Sequence, residues 1–253
     1  MIQIVIPAAG VGSRLKEINP LSYPKLLVEI CGKTFLERLN HALSPIKDKE
    51  FIFILGSKHS LLKEAIEKTI KNKKIFLYNK KFKETNCGYS LSKALPLIKG
   101  NWIYINSDLI FEKNISIKLK KYFGENKICV NFGKQTDLHK FSIKDDVFIK
   151  DWYPFDFGQT SQMKFNFLPK PDGEIVGPLL VNKSIAEDLI YKFKSLSYSE
   201  KVKISCYTLF SLINNGQFST IDITENLWQE VDTVEDFRIA ENLIQENNVL
   251  NNF

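Results

Sequence analysis

Residues 1–25 read MIQIVIPAAGVGSRLKEINPLSYPK, and this stretch decides the fold. Ile2 to Ile6 is a short, largely β-branched run bounded by Pro7 and Gly10, the pattern of a strand buried on both faces. Pro7 to Gly12 is a glycine-bearing loop that closes on Ser13 and Arg14. Glycines let backbone amides approach an anion, and an arginine adds planar, bidentate charge. The stretch therefore reads as a buried strand feeding a phosphate cradle.

Working outward, strand and helix signals alternate. Leu26 to Ile30 is a second apolar run, ended by Cys31 and Gly32, and a helix from Thr34 carries Phe35, Leu36, Leu39 and Leu43 inward and stops before Pro45. A strand over Phe51 to Leu55, a helix over Ser60 to Lys71 and a strand over Lys74 to Tyr78 follow. Thr85 or Asn86 can cap a helix continuing through Leu91 and Leu95, and Trp102 to Asn106 is an apolar strand running into Ser107 and Asp108. This alternation predicts a doubly wound α/β sheet, Rossmann-like, with ligands at the carboxyl ends of its strands.

Beyond about Tyr122 the pattern becomes that of a mixed sheet. Short strands are predicted at Ile128 to Phe132, Phe141 to Ile143 and Val147 to Ile149, and a strand at Glu174 to Val181 is interrupted by Gly177 and Pro178, which predicts a bulge or a close backbone approach. Helices are expected over Ser184 to Phe193, Ser205 to Asn214 and Val234 to Gln245, with a strand from Trp228 to Asp232. One domain spans 1–253, in two halves over 1–122 and 123–246, with a tail over 247–253 that has little to fix it.

Composition narrows the class. With 44% hydrophobic and 25% charged residues, the chain is ordinary for a globular protein. No apolar run approaches the roughly 18 residues of a membrane span, and no basic segment precedes an apolar one as in a signal peptide. A cytoplasmic protein with no membrane partner is expected. Cys31, Cys87, Cys129 and Cys206 form no CxxC pair and read as buried small hydrophobes. The net charge of +6 owes much to lysines between Lys63 and Lys83, which alternate with Leu62, Ala65 and Ile66 as a solvated helix face does. No nucleic-acid signature accompanies them. A homo-oligomer is allowed, and no residue specifies one.

Two phosphate-loop fingerprints fail on residues. Leu15 stands where the dinucleotide pattern needs its third glycine after Gly10 and Gly12, and Leu27 stands where a P-loop's first glycine would precede Gly32-Lys33-Thr34. His41, His59 and His139 are too scattered for a metal site, and His41 reads as structural.

What remains, Ala8-Ala9-Gly10-Val11-Gly12-Ser13-Arg14-Leu15 followed by Pro24-Lys25, resembles the nucleotidyltransferases that activate sugar phosphates and phosphorylated alcohols. Asn106-Ser107-Asp108 is similar to their metal strand, and Glu230-Val231-Asp232-Thr233-Val234-Glu235-Asp236 to their closing motif. The resemblance implies a GT-A-like fold, Mg²⁺ held by Asp108 and Asp232, and catalytic roles for Arg14 at the leaving pyrophosphate and Lys25 between the two substrates' phosphates. Ala8, Ala9, Gly10, Gly12, Ser13, Arg14, Thr85, Asn86, Gly88 and Ser90 would bind the nucleotide, and Glu174 and Gly177 the acceptor. The bland alternatives stand beside these: a strand-end cap for Asp108, a helix cap for Asp232 at even odds, and a solvated loop charge for Lys25.

The run Asn86 to Leu91, with NSDLIF and EVDTVEDF, is similar to the phosphocholine cytidylyltransferase branch, which uses CTP; by overall similarity alone the chain also resembles the CTP:phosphoglutamine cytidylyltransferases of capsule phosphoramidate synthesis. That resemblance implies CTP and a small phosphorylated acceptor as partners. Trp152, Tyr153 and Tyr207 could cage a quaternary ammonium, or could simply pack. Asp156, Gln159, Gln162 and Glu174 would suit an amino-acid ammonium and amide equally well. A sugar-1-phosphate nucleotidyltransferase and a non-catalytic nucleotide sensor are the competing readings.

Overall fold

The computed structural model describes residues 1–133, 140–144, 148–153, 172–214, 216–247 and 250, with backbone alone for the two strands between 140 and 153. The first strand, β1 (Ile2–Ala8), forms as the apolar run predicts. Two 3-10 turns, Ser13–Leu15 and Lys25–Leu27, and a small hairpin of β2 (Glu29–Ile30) and β3 (Lys33–Thr34) follow. The apolar run from Leu26 to Ile30 thus divides between the end of the second turn and β2. Helix α1 (Phe35–Ala42) starts at a capping box in which Thr34 accepts the Glu37 amide and Glu37 reaches back to Thr34.

Strand β4 (Lys49–Leu55), α2 (His59–Thr69), β5 (Lys73–Tyr78), α3 (Cys87–Ala94) and β6 (Trp102–Tyr104) complete the first half. Next come β7 (Leu109–Phe111), α4 (Lys113–Lys121), β8 (Lys127–Asn131), β9 (Lys140–Lys144), β10 (Phe148–Tyr153) and β11 (Gly173–Val181). The chain continues through α5 (Lys183–Ser195), α6 (Tyr198–Lys203), α7 (Cys206–Ser211), β12 (Ser219–Asp222), β13 (Trp228–Glu230) and α8 (Val234–Glu246).

Nine strands share one sheet in the order β5-β4-β1-β6-β11-β8-β12-β10-β9. The pairings β5–β4, β4–β1 and β1–β6 are parallel, whereas β11 runs antiparallel to both β6 and β8, so the sheet is mixed. The β11–β8 register shifts between Ile175 and Leu179, which places the bulge at Gly177 and Pro178 as their residue types predict. From β1 the chain moves outward to β4 and β5, then returns to the other side of β1 as β6. The order therefore reverses between β1 and β6, which is where open α/β sheets bind ligands.

Alternation along the strands decides which helices cover which face. Ile4, Ile6, Phe51 and Phe53 join a core with Leu36 and Leu39 of α1, Leu62 and Ile66 of α2, Leu119 of α4 and Ala240 of α8. Val5, Ile52 and Ile54 join a second core with Leu91 of α3, Leu189 of α5 and Phe210 of α7. Each fully buried aliphatic side chain contributes about 1.5–3 kcal/mol. The double winding follows directly from strands that are apolar on both faces. The lysine-rich α2 presents the solvated face expected of it, with Lys63–Glu67 and Lys68–Glu64 pairs one turn apart.

Leu250 is buried, and its carbonyl accepts the Arg38 Nη1 at 2.8 Å while the other nitrogens of this buried guanidinium serve the carbonyls of Ile30 and Cys31. Among residues 247–253, only Asn247 and Leu250 are described. The cysteines divide: Cys129 and Cys206 are buried as expected, whereas Cys31 and Cys87 are partly exposed.

Candidate active site

The loop after β1 and the loop after β6 meet at the point where strand order reverses, over a cavity of about 300 Å³. Ala8 through Arg14 form one wall, with Pro24 and Lys25 beside them, and Asn106, Ser107, Asp108, Glu230 and Asp232 form the facing wall. The backbone N–H groups of Gly10, Val11 and Gly12 donate to no group among the described residues. Three amides are thus open towards an anion, as the glycine-bearing loop predicts.

Lys25 lies at the start of the 3-10 turn after Pro24, and its side chain is only 14% exposed. Its ammonium donates to Asp108 Oδ2 at 3.1 Å and to Asp232 Oδ1 at 2.7 Å, and Arg14 Nη2 lies 2.9 Å from the same Asp232 oxygen. Lys25 is therefore not a solvated loop charge. The segment between Arg14 and Pro24 is pinned by buried Asn19, which donates to the Tyr23 carbonyl at 2.8 Å and accepts the Tyr23 amide at 3.0 Å. No sequence signal singled out Asn19.

Asp108 and Asp232 meet because β7 and β13 pair antiparallel, Leu109 opposite Glu230, and the Val231 amide donates to the Asp108 carbonyl at 3.0 Å. The helix-cap reading of Asp232 fails, since Thr233 caps α8 and Asp236 closes its capping box. Asp236 Oδ2 also accepts the Asp232 amide at 3.0 Å, which fixes the backbone of Asp232. Asp108 is not a strand-end cap either: its carboxylate serves Lys25, and Asp108 Oδ1 is buried with no hydrogen-bond partner.

Three carboxylates, those of Asp108, Glu230 and Asp232, can each bring an oxygen within 4.8 Å of the others. Hard oxygen donors in such a cluster, one of them an unpartnered buried oxygen, fit a magnesium ion. Burial and the neighbouring Asp108 and Asp232 charges hold the Glu230 carboxyl well above the carboxylate range. Burial also raises Asp108, outweighing Lys25. For Asp232 burial acts upward, but Lys25 and Arg14 prevail and hold it below its usual value. Burial disfavours the Lys25 ammonium, and the paired acids more than compensate, so its pKa is raised. Positive charge at this point is what the acids demand.

The far end of the cavity is lined by Asn79, Phe82, Thr85, Asn86, Cys87 and Ser90. Thr85, Asn86 and Ser90 thus reach the cavity together with the loop residues. Buried Asn79, which sequence reasoning did not select, organises them by donating to Thr85 Oγ1 at 2.9 Å and Ser90 Oγ at 3.0 Å. Asn86 caps α3 as its position predicts, accepting the Cys87 amide at 2.7 Å. Gly88 is not among the residues lining the cavity and packs closely on a neighbouring segment. Its amide donates to the Ile204 carbonyl, and a Cβ there would stand 2.7 Å from the carbonyls of Ile204 and Ser205. Only glycine permits that approach.

The acceptor residues divide as well. Tyr207 lines the cavity, but its hydroxyl is committed, donating to the Val176 carbonyl at 3.2 Å and accepting Asn106 Nδ2 at 3.1 Å. Asn106 also donates to Glu230 and accepts the Tyr104 hydroxyl, so it ties the end of β6 to β13. Glu174 and Gly177 lie on β11 outside the cavity lining, with Gly177 at φ +70, where an added Cβ would stand 2.5 Å from the Tyr207 hydroxyl. Trp152 and Tyr153 end β10, and their side chains, with Asp156, Gln159 and Gln162, lie outside the described residues. His41 sits in α1, away from the site.

With this geometry in place, likeness to known proteins places the chain in a class. No established family profile matches it. A bifunctional IPC transferase and DIPP synthase of Aquifex aeolicus is 27% identical over 240 residues, 93% of this chain and 50% of that protein. A choline-phosphate cytidylyltransferase of Haemophilus influenzae is 30% identical over 125 residues, 47% of this chain and 50% of that one. The chain thus spans about half the length of these relatives. Among solved structures, the inositol-1-phosphate CTP transferase from T. maritima superposes with a TM-score of 0.73 at 17% identity over 97% of both chains. The CTP:phosphocholine cytidylyltransferase from Streptococcus pneumoniae gives 0.73 at 19% identity over 96% of this chain and 99% of that one. The fold is the Rossmann-like α/β fold of the nucleotidyltransferases. In sequence the chain is similar to nucleotidyltransferases, a choline-phosphate cytidylyltransferase among them.

Proposed function

We propose that this chain is a cytidylyltransferase in which a phosphate oxygen of a small acceptor attacks the α-phosphorus of CTP. The bond from that phosphorus to the β-phosphate oxygen breaks, and pyrophosphate leaves with the electron pair. The observation that carries this reading is the convergence of Arg14, Lys25, Asp108 and Asp232 beside the open amides of Gly10 to Gly12.

The amides and Arg14 receive the outgoing phosphates, and Lys25 lies where negative charge accumulates as two anions are brought in line. Asp108 and Asp232 would hold Mg²⁺, which when bound neutralises phosphate charge. Before substrate arrives, Lys25 and Arg14 balance those acids, so the cationic groups are already oriented. No general base is required, because the attacking phosphate is ionised near neutral pH. The Asn79, Thr85 and Ser90 end of the cavity takes the base and ribose.

L-glutamine phosphate, giving CDP-L-glutamine for capsule modification, is the acceptor implied by sequence resemblance. Phosphocholine is the second reading, favoured by the likeness to the Haemophilus influenzae enzyme. The test is a matrix of CTP, UTP, GTP and dTTP against L-glutamine phosphate, phosphocholine and several sugar 1-phosphates, scored for pyrophosphate. Turnover is expected with CTP and one of the first two acceptors. Turnover confined to a sugar 1-phosphate would make the chain a sugar nucleotidyltransferase, and nucleotide binding without turnover would make it a sensor.

A further inference from the structure

Two thiols in the cavity wall have no part in the proposed chemistry. Cys87 is the first residue of α3 and Cys206 the first of α7, and both line the nucleotide end of the cavity. The Cys206 amide donates to Cys87 Sγ at 3.0 Å, so the Cys87 sulfur lies against the backbone of Cys206. This contact is built in by close packing. The amides of Asn86 and Gly88 donate to the carbonyls of Val202 and Ile204, and Gly88 lets α3 press on the segment before α7.

We propose that Cys87 and Cys206 form a redox modification site in the nucleotide cavity, where a peroxide converts the thiol pair to a disulfide. Cys87 is partly exposed and lines the cavity, so a peroxide entering there reaches its sulfur first. Its sulfur attacks one peroxide oxygen, the O–O bond breaks, and water leaves, giving a sulfenic acid. The Cys206 sulfur then attacks the Cys87 sulfur, the S–O bond breaks, and hydroxide departs as water with the Cys206 proton. Two thiols and one peroxide thus give one disulfide and two waters. Burial pushes the Cys206 thiol up, which suits it to the second step rather than the first. The new bond draws α3 and α7 together between Asn86 and Tyr207, both of which line the cavity.

The experiment treats the whole protein with hydrogen peroxide, blocks free thiols by alkylation, and maps peptides without reduction. A Cys87–Cys206 linked peptide is expected, absent from Cys87→Ser and Cys206→Ser and lost on treatment with dithiothreitol. Free thiols at both positions, Cys87 recovered only as sulfinic acid, or linkage to Cys31 or Cys129 would overturn the proposal. A second readout, which alone rests on the cytidylyltransferase reading, is CTP binding. It is expected to weaken at least tenfold on oxidation and to recover on reduction, and equal binding in both states would overturn the closure of the cavity. Failure of the reduced protein to bind CTP would count against the cytidylyltransferase and leave the peptide result to decide the thiol pair.

Discussion

Lys25 Nζ lies 2.7 Å from Asp232 Oδ1 although 207 residues separate them in sequence. The contact joins the turn after the first loop to the strand before the last helix, so it forms only when both halves of the sheet are in place. It also sets the electrostatics of the site, because the same ammonium reaches Asp108.

Lys25→Ala is expected to lower pyrophosphate release by a factor of about 10² or more, the scale seen when one preorganised donor is removed from a charged transition state. Circular dichroism should show the fold retained. Turnover near that of the unaltered protein would remove Lys25 from the chemistry.

Asp108→Ala is expected to abolish divalent-dependent pyrophosphate release and to weaken Mg²⁺ binding followed by calorimetry. In the unaltered protein, chelation with EDTA should stop turnover and added Mg²⁺ should restore it. Undiminished turnover in EDTA would rule out the carboxylate cluster as a required metal site.

Asp236 serves the site through the backbone, its Oδ2 accepting the amides of Asp232 and Thr233 and the Thr233 hydroxyl. Asp236→Ala removes half of the capping box and should cost about 0.5–2 kcal/mol in denaturant unfolding. It should also lower kcat, since Asp232 loses its tether. A stability loss with kcat unchanged would reduce Asp236 to a helix cap.

His41 gives a pH dependence outside the site. Burial first, then Lys113 and Arg38, lower its pKa to about 4 from 6.5. The unfolded chain binds the extra proton between these values, so stability should be flat above pH 6.5 and fall as pH drops from 6.5 to 4. Allowing for solvent screening, the loss attributable to His41 is on the order of 1 kcal/mol. His41→Gln should flatten that part of the profile in melts taken at successive pH values.

Gly88→Ala should destabilise the protein by about 1–3 kcal/mol, because its new methyl would meet two carbonyl oxygens at 2.7 Å. A melting temperature unchanged by the substitution would show that the α3 contact can relax.

The sequence alone determined the strands, the helices and their order wherever apolar periodicity and caps were strong: β1, β4, β5, α2 and α8 lie within a residue or two of their predicted bounds. It also marked the glycine loop, Arg14, Lys25, Asp108 and Asp232, since each stands beside a local signal such as a proline, a glycine or a strand end. It did not show that three-residue β7 pairs with β13, because so short a strand has no periodicity and its partner lies more than a hundred residues away. Tertiary structure alone brought Asp108 to Asp232, made Asn79 and Asn19 organisers of the cavity, turned Gly88 into a packing residue and set Cys87 against Cys206. The physical reason is the same in each case. Local propensity is written in neighbouring residues, whereas burial and hydrogen-bond satisfaction are decided by whatever the sheet brings alongside.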